Sequence, residues 1–168
     1  MQPLIEHASA LIVYDSLTGK FAWIKSHGRK KAGSEAGTLM HTGYIRININ
    51  KKSYTAHRLA WLMYYGVEPD GFIDHTNGDR SDNRIANLRL ATREQNAWNA
   101  HQYKNNRTGL KGVHYNSRDK RYIAQITKSG KRICLGSFTD KNEAHSAYTR
   151  AADLLHGEFS STKRNNPR

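Results

Sequence analysis

The stretch Gln102–Thr108, reading QYKNNRT, constrains this chain most: apolar residues recur in regular patterns on either side of it and vanish across it. A polar interruption of this kind marks a boundary between domains. The chain has 168 residues, 37% of them hydrophobic. That length accommodates one ordinary domain or two small ones, and the apolar content is thin for a single large core. Two small domains of α+β class are therefore expected, at residues 1–103 and 104–160, with a basic tail at 161–168.

In the first half, Leu11–Trp23 sets the apolar runs LIVY and FAW around the turn-prone Ser16-Leu17-Thr18-Gly19, the pattern of a hairpin. Ser26–Gly37, rich in Gly, Lys and Ser, reads as a loop. Gly43–Asn50 alternates Ile45, Ile47 and Ile49 with Tyr44, Arg46 and Asn48, as a half-buried strand does. Tyr54–Tyr65 reads as a helix with Leu59, Leu62 and Met63 on one face, ended by Gly66 with Pro69 beyond. Phe72–His75 is a short strand, Thr76–Asn83 a polar loop and Ile85–Leu90 a second apolar segment. Thr92 then caps a helix, with Gln95 at the capping-box position.

In the second half, Leu110–Tyr115, Tyr122–Thr127 and Arg132–Phe138 alternate and are separated by the turn segments NSRDK and KSGK, which predicts a three-stranded antiparallel meander. Val113, Tyr115, Ile123, Ile126, Ile133, Leu135 and Phe138 include its core set. Asp140 caps a helix to about His156, with Ala144, Ala147, Tyr148, Ala151, Ala152 and Leu155 inward, and Gly157 ends it.

Charge narrows the function. Lys and Arg total 27 against 14 Asp and Glu, net +13 at pH 7, a surplus that attracts polyanions. It is uneven: residues 1–99 carry 13 basic and 9 acidic side chains, net +4, and residues 100–168 carry 14 and 5, net +9. Nucleic acid is thus favoured over mere solubility, with the C-terminal half as the more basic arm. There is no apolar run of about 18 residues and no secretory leader, so an intracellular, cytoplasmic protein without a membrane partner is expected. Cys134 is the only cysteine, which excludes an internal disulfide and paired-cysteine zinc sites and leaves oxygen or imidazole to hold any metal.

The chemistry concentrates in FIDHTNGDRSDNRIANLRLATREQN. Phosphodiester hydrolysis requires a base for water and a cation for the charge developing on phosphate and leaving oxygen. His75 can be the base. Mg²⁺ takes one or two protein oxygens and keeps its waters, so Asp74 and one Asn carbonyl would suffice. Neighbouring strand residues point to opposite faces, so Asp74 and His75 share a site only if the strand ends there. The EF-hand alternative fails, because Gly78 is fifth from Asp74 and the twelfth residue is Ile85, not Glu. Arg80, Arg84, Arg89 and Arg93 flank the motif and suit phosphate; a solvated basic face is the competing reading of each. His57 reads as structural.

This segment resembles the ββα-metal core of HNH homing endonucleases of the phage intron-encoded type, over about residues 54–99. The Asp-His pair is followed after twelve residues by Asn87 and after nine more by Asn96. The resemblance implies a nuclease domain with a β-rich N-terminal extension, in which Asp74 is a metal ligand, His75 the general base, Asn87 an orienting or loop-bracing member of the catalytic set and Asn96 the second ligand. Asn99, one turn on, is the rival to Asn96. Asn96 stands where many members have His, and an amide oxygen favours Mg²⁺ or Mn²⁺ over zinc.

Residues 109–158, with GVHYNSRDKRYIAQI, KRICLGSF and DKNEAHSAYTRAADLLHG, resemble an APETALA2-type DNA-binding domain. That resemblance implies a sheet presented to the DNA major groove and backed by a helix. His114, Asn116, Arg118, Gln125, Thr127 and Arg132 are the outward candidates, with Lys120 and Arg121 at the turn. Tyr122, Cys134 and Thr127 depart from the plant pattern, so no target sequence carries over.

The whole reads as a monomeric, site-specific DNA endonuclease without a small-molecule cofactor, nicking double-stranded DNA in a bacterial host. The alternatives are a non-catalytic DNA-binding regulator with a decayed nuclease fold and, less favoured, an RNA-binding protein.

Overall fold

The computed structural model describes residues 2–26, 28–100 and 106–163. The expected tail beyond 163 and most of the polar stretch at 101–105 lie outside the described residues. Among the described residues the chain is a mixed α/β protein with four small antiparallel sheets and four α-helices. No described helix is long and apolar enough to cross a membrane. By packing the chain forms two compact units, Met1–Thr92 and Arg93–Arg168.

In the first unit, helix α1 (Gln2–Ser9) precedes the expected hairpin of β1 (Ile12–Asp15) and β2 (Lys20–Trp23). A three-stranded sheet follows, from β3 (Thr38–Leu39), β4 (Ile45–Ile49) and β5 (Lys52–Thr55). The alternation read in β4 holds, with Ile47 and Ile49 buried and Arg46 and Asn48 exposed. Helix α2 (Ala56–Tyr65) starts two residues later than expected, because Tyr54 and Thr55 still pair with β4. It ends as predicted: Gly66 adopts φ 75° and its N–H reaches the Leu62 carbonyl.

Strands β6 (Phe72–His75) and β7 (Leu88–Ala91) form a two-stranded ribbon in which Asp74 pairs Arg89 and His75 pairs Leu88. Ile73 and Leu88 join Ile12, Phe21, Trp23, Ile47, Ile49 and Leu59 in one core. The ribbon's core side therefore carries Ile73, Leu88 and, by alternation, His75, while Asp74 and Arg89 share the other side.

In the second unit, helix α3 (Arg93–Asn99) comes first. Ring stacking of Trp98 on His156 at 4.3 Å fixes it there. The Lys111 ammonium donates to the Trp98 and Ala100 carbonyls at 2.6 Å each, filling carbonyls left open at the helix end. The Glu94 carboxylate accepts from the Ser129 N–H. The packing boundary thus falls at 92/93, whereas the disappearance of apolar residues places it at 103/104. α3 owes its place to three contacts made far along the chain, which a local reading of apolar density does not register.

The expected meander follows as β8 (Val113–Asn116), β9 (Arg121–Lys128) and β10 (Lys131–Phe138), with β9 central. Helix α4 (Lys141–His156) packs on one face. Asp140 caps it by accepting from the Asn142 and Glu143 N–H groups at 2.7 and 3.0 Å. The core comprises Val113, Ala124, Ile126, Ala144, Tyr148 and Ala152. Three expected core residues are placed differently. Ile123 and Ile126 are three apart and cannot share a face of a regular strand; Ala124 with Ile126 makes the buried pair, and Ile123 turns outward. Tyr115 and Ile133 are exposed, near the open end of the sheet and beside the bulge between Cys134 and Gly136. Gly112 (φ 76°) must lack a side chain, because a Cβ there would lie 1.9 Å from the Tyr148 ring.

Candidate active site

The centre of the candidate site is the end of β6. Asp74 and His75 are each only 4% exposed, although both are polar. A buried carboxylate needs a partner, and Asp74 has one: Arg89 donates to its Oδ2 from Nε at 2.9 Å and Nη2 at 2.8 Å. The ribbon register imposes this pair, since the two residues face each other across the strands. Arg89, which the sequence suggests as a phosphate contact, is instead the partner of the candidate metal ligand.

His75 lies against α2. Its ring meets His57 edge-on at 5.3 Å and Tyr44 at 6.0 Å, and Tyr44 and His57 are themselves 5.1 Å apart. His57 also touches the Thr55 hydroxyl at 3.3 Å. Burial pushes the His57 imidazole down to about 3, with the neighbouring His75 and Arg58 acting the same way. Burial likewise holds His75 below the ordinary histidine range, opposed by the Asn83 hydrogen bond and by Asp74, Asp79 and Asp82. Both rings are therefore neutral at pH 7, and a neutral imidazole is the form that accepts a proton.

The loop between the strands is tied at several points. The Asn87 carbonyl accepts from the Thr76 N–H at 2.9 Å. Asn87 Oδ1 accepts from the Asn77 N–H at 2.9 Å, and its Nδ2 donates to the Asp82 carbonyl at 2.8 Å. The Asn87 side chain thus spans both ends of the loop. Asn83, which sequence reasoning does not single out, is 1% exposed; its Oδ1 lies 3.5 Å from His75 Nε2. No motif spacing distinguishes it, and the only cue is an Asn in an Asp-rich loop, where a turn role is the default.

The remaining candidates have these places. Arg80 donates to the Thr42 carbonyl at 3.0 Å and lies over the Tyr44 ring. Arg84 pairs with Asp82 at 2.5 Å and keeps half its side chain exposed. Arg93 is exposed at the start of α3, Asn96 is half-buried and Asn99 buried. On the C-terminal sheet, strand pairing puts His114, Asn116, Arg121, Gln125, Thr127 and Arg132 on the face opposite α4. Arg121 is held by Ser137, and Asn116 folds the β8–β9 turn by bonding Asp119 and the Arg118 N–H. Lys120 sits in that turn at φ 53°; it, Arg118, Thr127 and Arg132 are exposed. An open groove of about 960 Å³ in this unit is lined by Arg107, Lys111, His114, Gln125, Thr127 and Arg132, among others.

Among the described residues no group of three or more His, Cys, Asp or Glu could hold a metal. The buried Asp74 carboxylate is a hard oxygen donor, which suits a cation that retains most of its water.

A family model for HNH endonucleases matches residues 54–98, the stretch from β5 into α3. The chain belongs to the HNH endonuclease family. It is 32% identical over 109 residues to protein 3.8 of Escherichia phage T7, covering 64% of this chain and 89% of that protein. It is also 30% identical over 155 residues to an uncharacterized HNH endonuclease of Acanthamoeba polyphaga mimivirus, covering 88% of this chain and 79% of that one.

Proposed function

We propose that the protein is a divalent-metal-dependent DNA endonuclease in which His75 is the general base. The observation that carries this reading is a buried, neutral His75 following a buried Asp74 that Arg89 holds in place. His75 takes the proton of a water as that water's oxygen attacks the phosphorus. The bond to the 3′ oxygen breaks on the opposite side; its electron pair stays on that oxygen, which takes a proton from solvent water, leaving a 5′-phosphate and a 3′-hydroxyl. Asn87 keeps the loop after β6 in one conformation, so the base does not have to be ordered at each turnover. Asp74 is the residue of this unit that would hold Mg²⁺ or Mn²⁺, which would supply charge stabilisation for the phosphate and the leaving oxygen.

The C-terminal sheet is the duplex anchor in this reading, as in the APETALA2-type domains it resembles. A strand face carrying His114, Gln125, Thr127 and Arg132 beside Arg118 and Lys120 suits the roughly 12 Å major groove and its phosphates. Arg80 and Arg84 are phosphate contacts near the cut, and Arg93 is a phosphate contact of the second unit. A monomer with one such site nicks one strand, in the manner of phage homing enzymes.

Supercoiled DNA incubated with the protein and Mg²⁺ tests the proposal. Relaxed circles are expected, their formation abolished by chelator, by His75→Ala and by Asp74→Ala, with DNA affinity retained in His75→Ala. Absence of any nicked or linear product across a genomic library would defeat it in favour of a DNA-binding regulator.

A further inference from the structure

We propose that Asn83 is a positioning residue for His75, fixing its ring with the proton on Nε2, and that the N-terminal hairpin outside the family-matched region locks Asn83 in place. The inference deepens the nuclease reading above and rests on it for its catalytic consequence.

Asn83 Nδ2 donates to the Ser81 carbonyl at 2.9 Å. A carbonyl only accepts, so this bond settles which end of the amide is nitrogen and turns Oδ1 toward His75 Nε2, 3.5 Å away. An amide oxygen also only accepts. The ring nitrogen facing it must carry the hydrogen, and in the neutral imidazole the basic lone pair then belongs to Nδ1. Asn83 has almost no room to swing away, being 1% exposed. His57 and Tyr44 confine the ring through the contacts at 5.3 and 6.0 Å.

What holds Asn83 comes from far along the chain. The Tyr14 hydroxyl donates to the Asn83 carbonyl at 2.7 Å, and burial raises Tyr14 far above the ordinary phenol range, so it stays a donor. The Ser16 carbonyl accepts from the Ile85 N–H at 3.1 Å. Between them Gly19 (φ 73°) lets the hairpin turn lie on the next peptide: a Cβ there would be 2.6 Å from the Asn83 carbonyl carbon and 2.3 Å from the Arg84 nitrogen. Tyr14, Ser16 and Gly19 all precede residue 54, where the family match begins. The β-rich extension is thereby part of the device that orients the base.

The test is a long-range ¹H–¹⁵N spectrum of the full-length, metal-free, ¹⁵N-labelled protein at pH 7.5, with the His75 ring assigned by comparison with His75→Gln. The wild type is expected to show the Nε2–H tautomer alone. Asn83→Ala should give a mixture of tautomers, Tyr14→Phe a partial shift toward it, and Asn83→Asp, which keeps an acceptor in place, the wild-type pattern. In the nicking assay Asn83→Ala should lower kcat on the order of 10- to 100-fold, less than the roughly 10²- to 10⁴-fold a general base contributes. KM should be unchanged, and Asn83→Asp should recover part of the loss. An Nδ1–H tautomer in the wild type, which needs no variant to fold, would overturn the proposal; so would an Asn83→Ala protein with unaltered tautomer and kcat. If the wild type nicks nothing, the nuclease reading fails, and the spectra still decide the role of Asn83.

Discussion

Acidifying the protein should destabilise its N-terminal unit well above the pH at which carboxylates protonate. In the folded state His57 takes up a proton only at about pH 3, whereas in the unfolded chain it does so near 6.5. Above pH 6.5 both states are neutral there and the residue contributes no pH dependence. As pH falls below 6.5 the unfolded state binds the proton first, so stability is lost progressively down to the folded value. Each pH unit in that window costs about 1.4 kcal/mol for one group. At pH 5 the loss is about 2 kcal/mol relative to pH 7.5, a substantial part of the 5–15 kcal/mol typical of a domain. His75 is lowered in the same direction and adds to it. Urea unfolding in a Trp98→Phe background, with fluorescence from Trp23 and Trp61, reads this unit alone. Stability that stays flat between pH 7.5 and 5 would refute the reasoning, as would an identical pH slope in His57→Phe.

Two further outcomes follow from the same geometry. Arg89→Ala removes one partner of the buried pair with Asp74 and should lower stability by about 3 kcal/mol, read as a drop in Tm of the metal-free protein. Gly19→Ala and Gly66→Ala both place a side chain at positive φ, but only at Gly19 does the new Cβ meet backbone. Urea midpoints should therefore rank Gly19→Ala well below Gly66→Ala, whose cost should be near 1 kcal/mol; equal costs would contradict the hairpin packing described.

Period and punctuation make much of this fold legible. The apolar alternation of β4, the Gly66 stop of α2, the Asp140 cap of α4 and the two turns of the C-terminal meander are local signals, and each element lies where its signal puts it. The misses are of two physical kinds. The end of β5 reads as the start of a helix because the strand's turn, Asn50-Lys51, takes positive φ at both residues without a glycine to announce it. The other misses are long-range. That Asp74 faces Arg89 follows from strand register, and that Asn83 meets His75 follows from a loop held by residues near position 15. The motif Asp-His, Asn, Asn points to the family; the hydrogen bonds that orient its members come from residues whose types are unremarkable in sequence.

The docking of α3 changes how the DNA-anchoring role should be tested. Deleting residues 104–168 removes the basic half, and with it His156, Lys111 and Ser129, the partners of Trp98, the α3 carbonyls and Glu94. α3, with Arg93 and Asn96 on it, is too short to persist as an isolated helix. A truncated protein that fails to cut would thus report the unfolding of α3 as readily as weakened DNA binding. Substitutions on the exposed face leave α3 and its partners in the chain, because Lys120 and Arg132 are exposed. Lys120→Ala combined with Arg132→Ala should leave the thermal transition in place and reduce the slope of log affinity against log salt by up to about 2, roughly one for each phosphate no longer neutralised. An unchanged slope and affinity would remove this face from the DNA interface while leaving the site around His75 untouched.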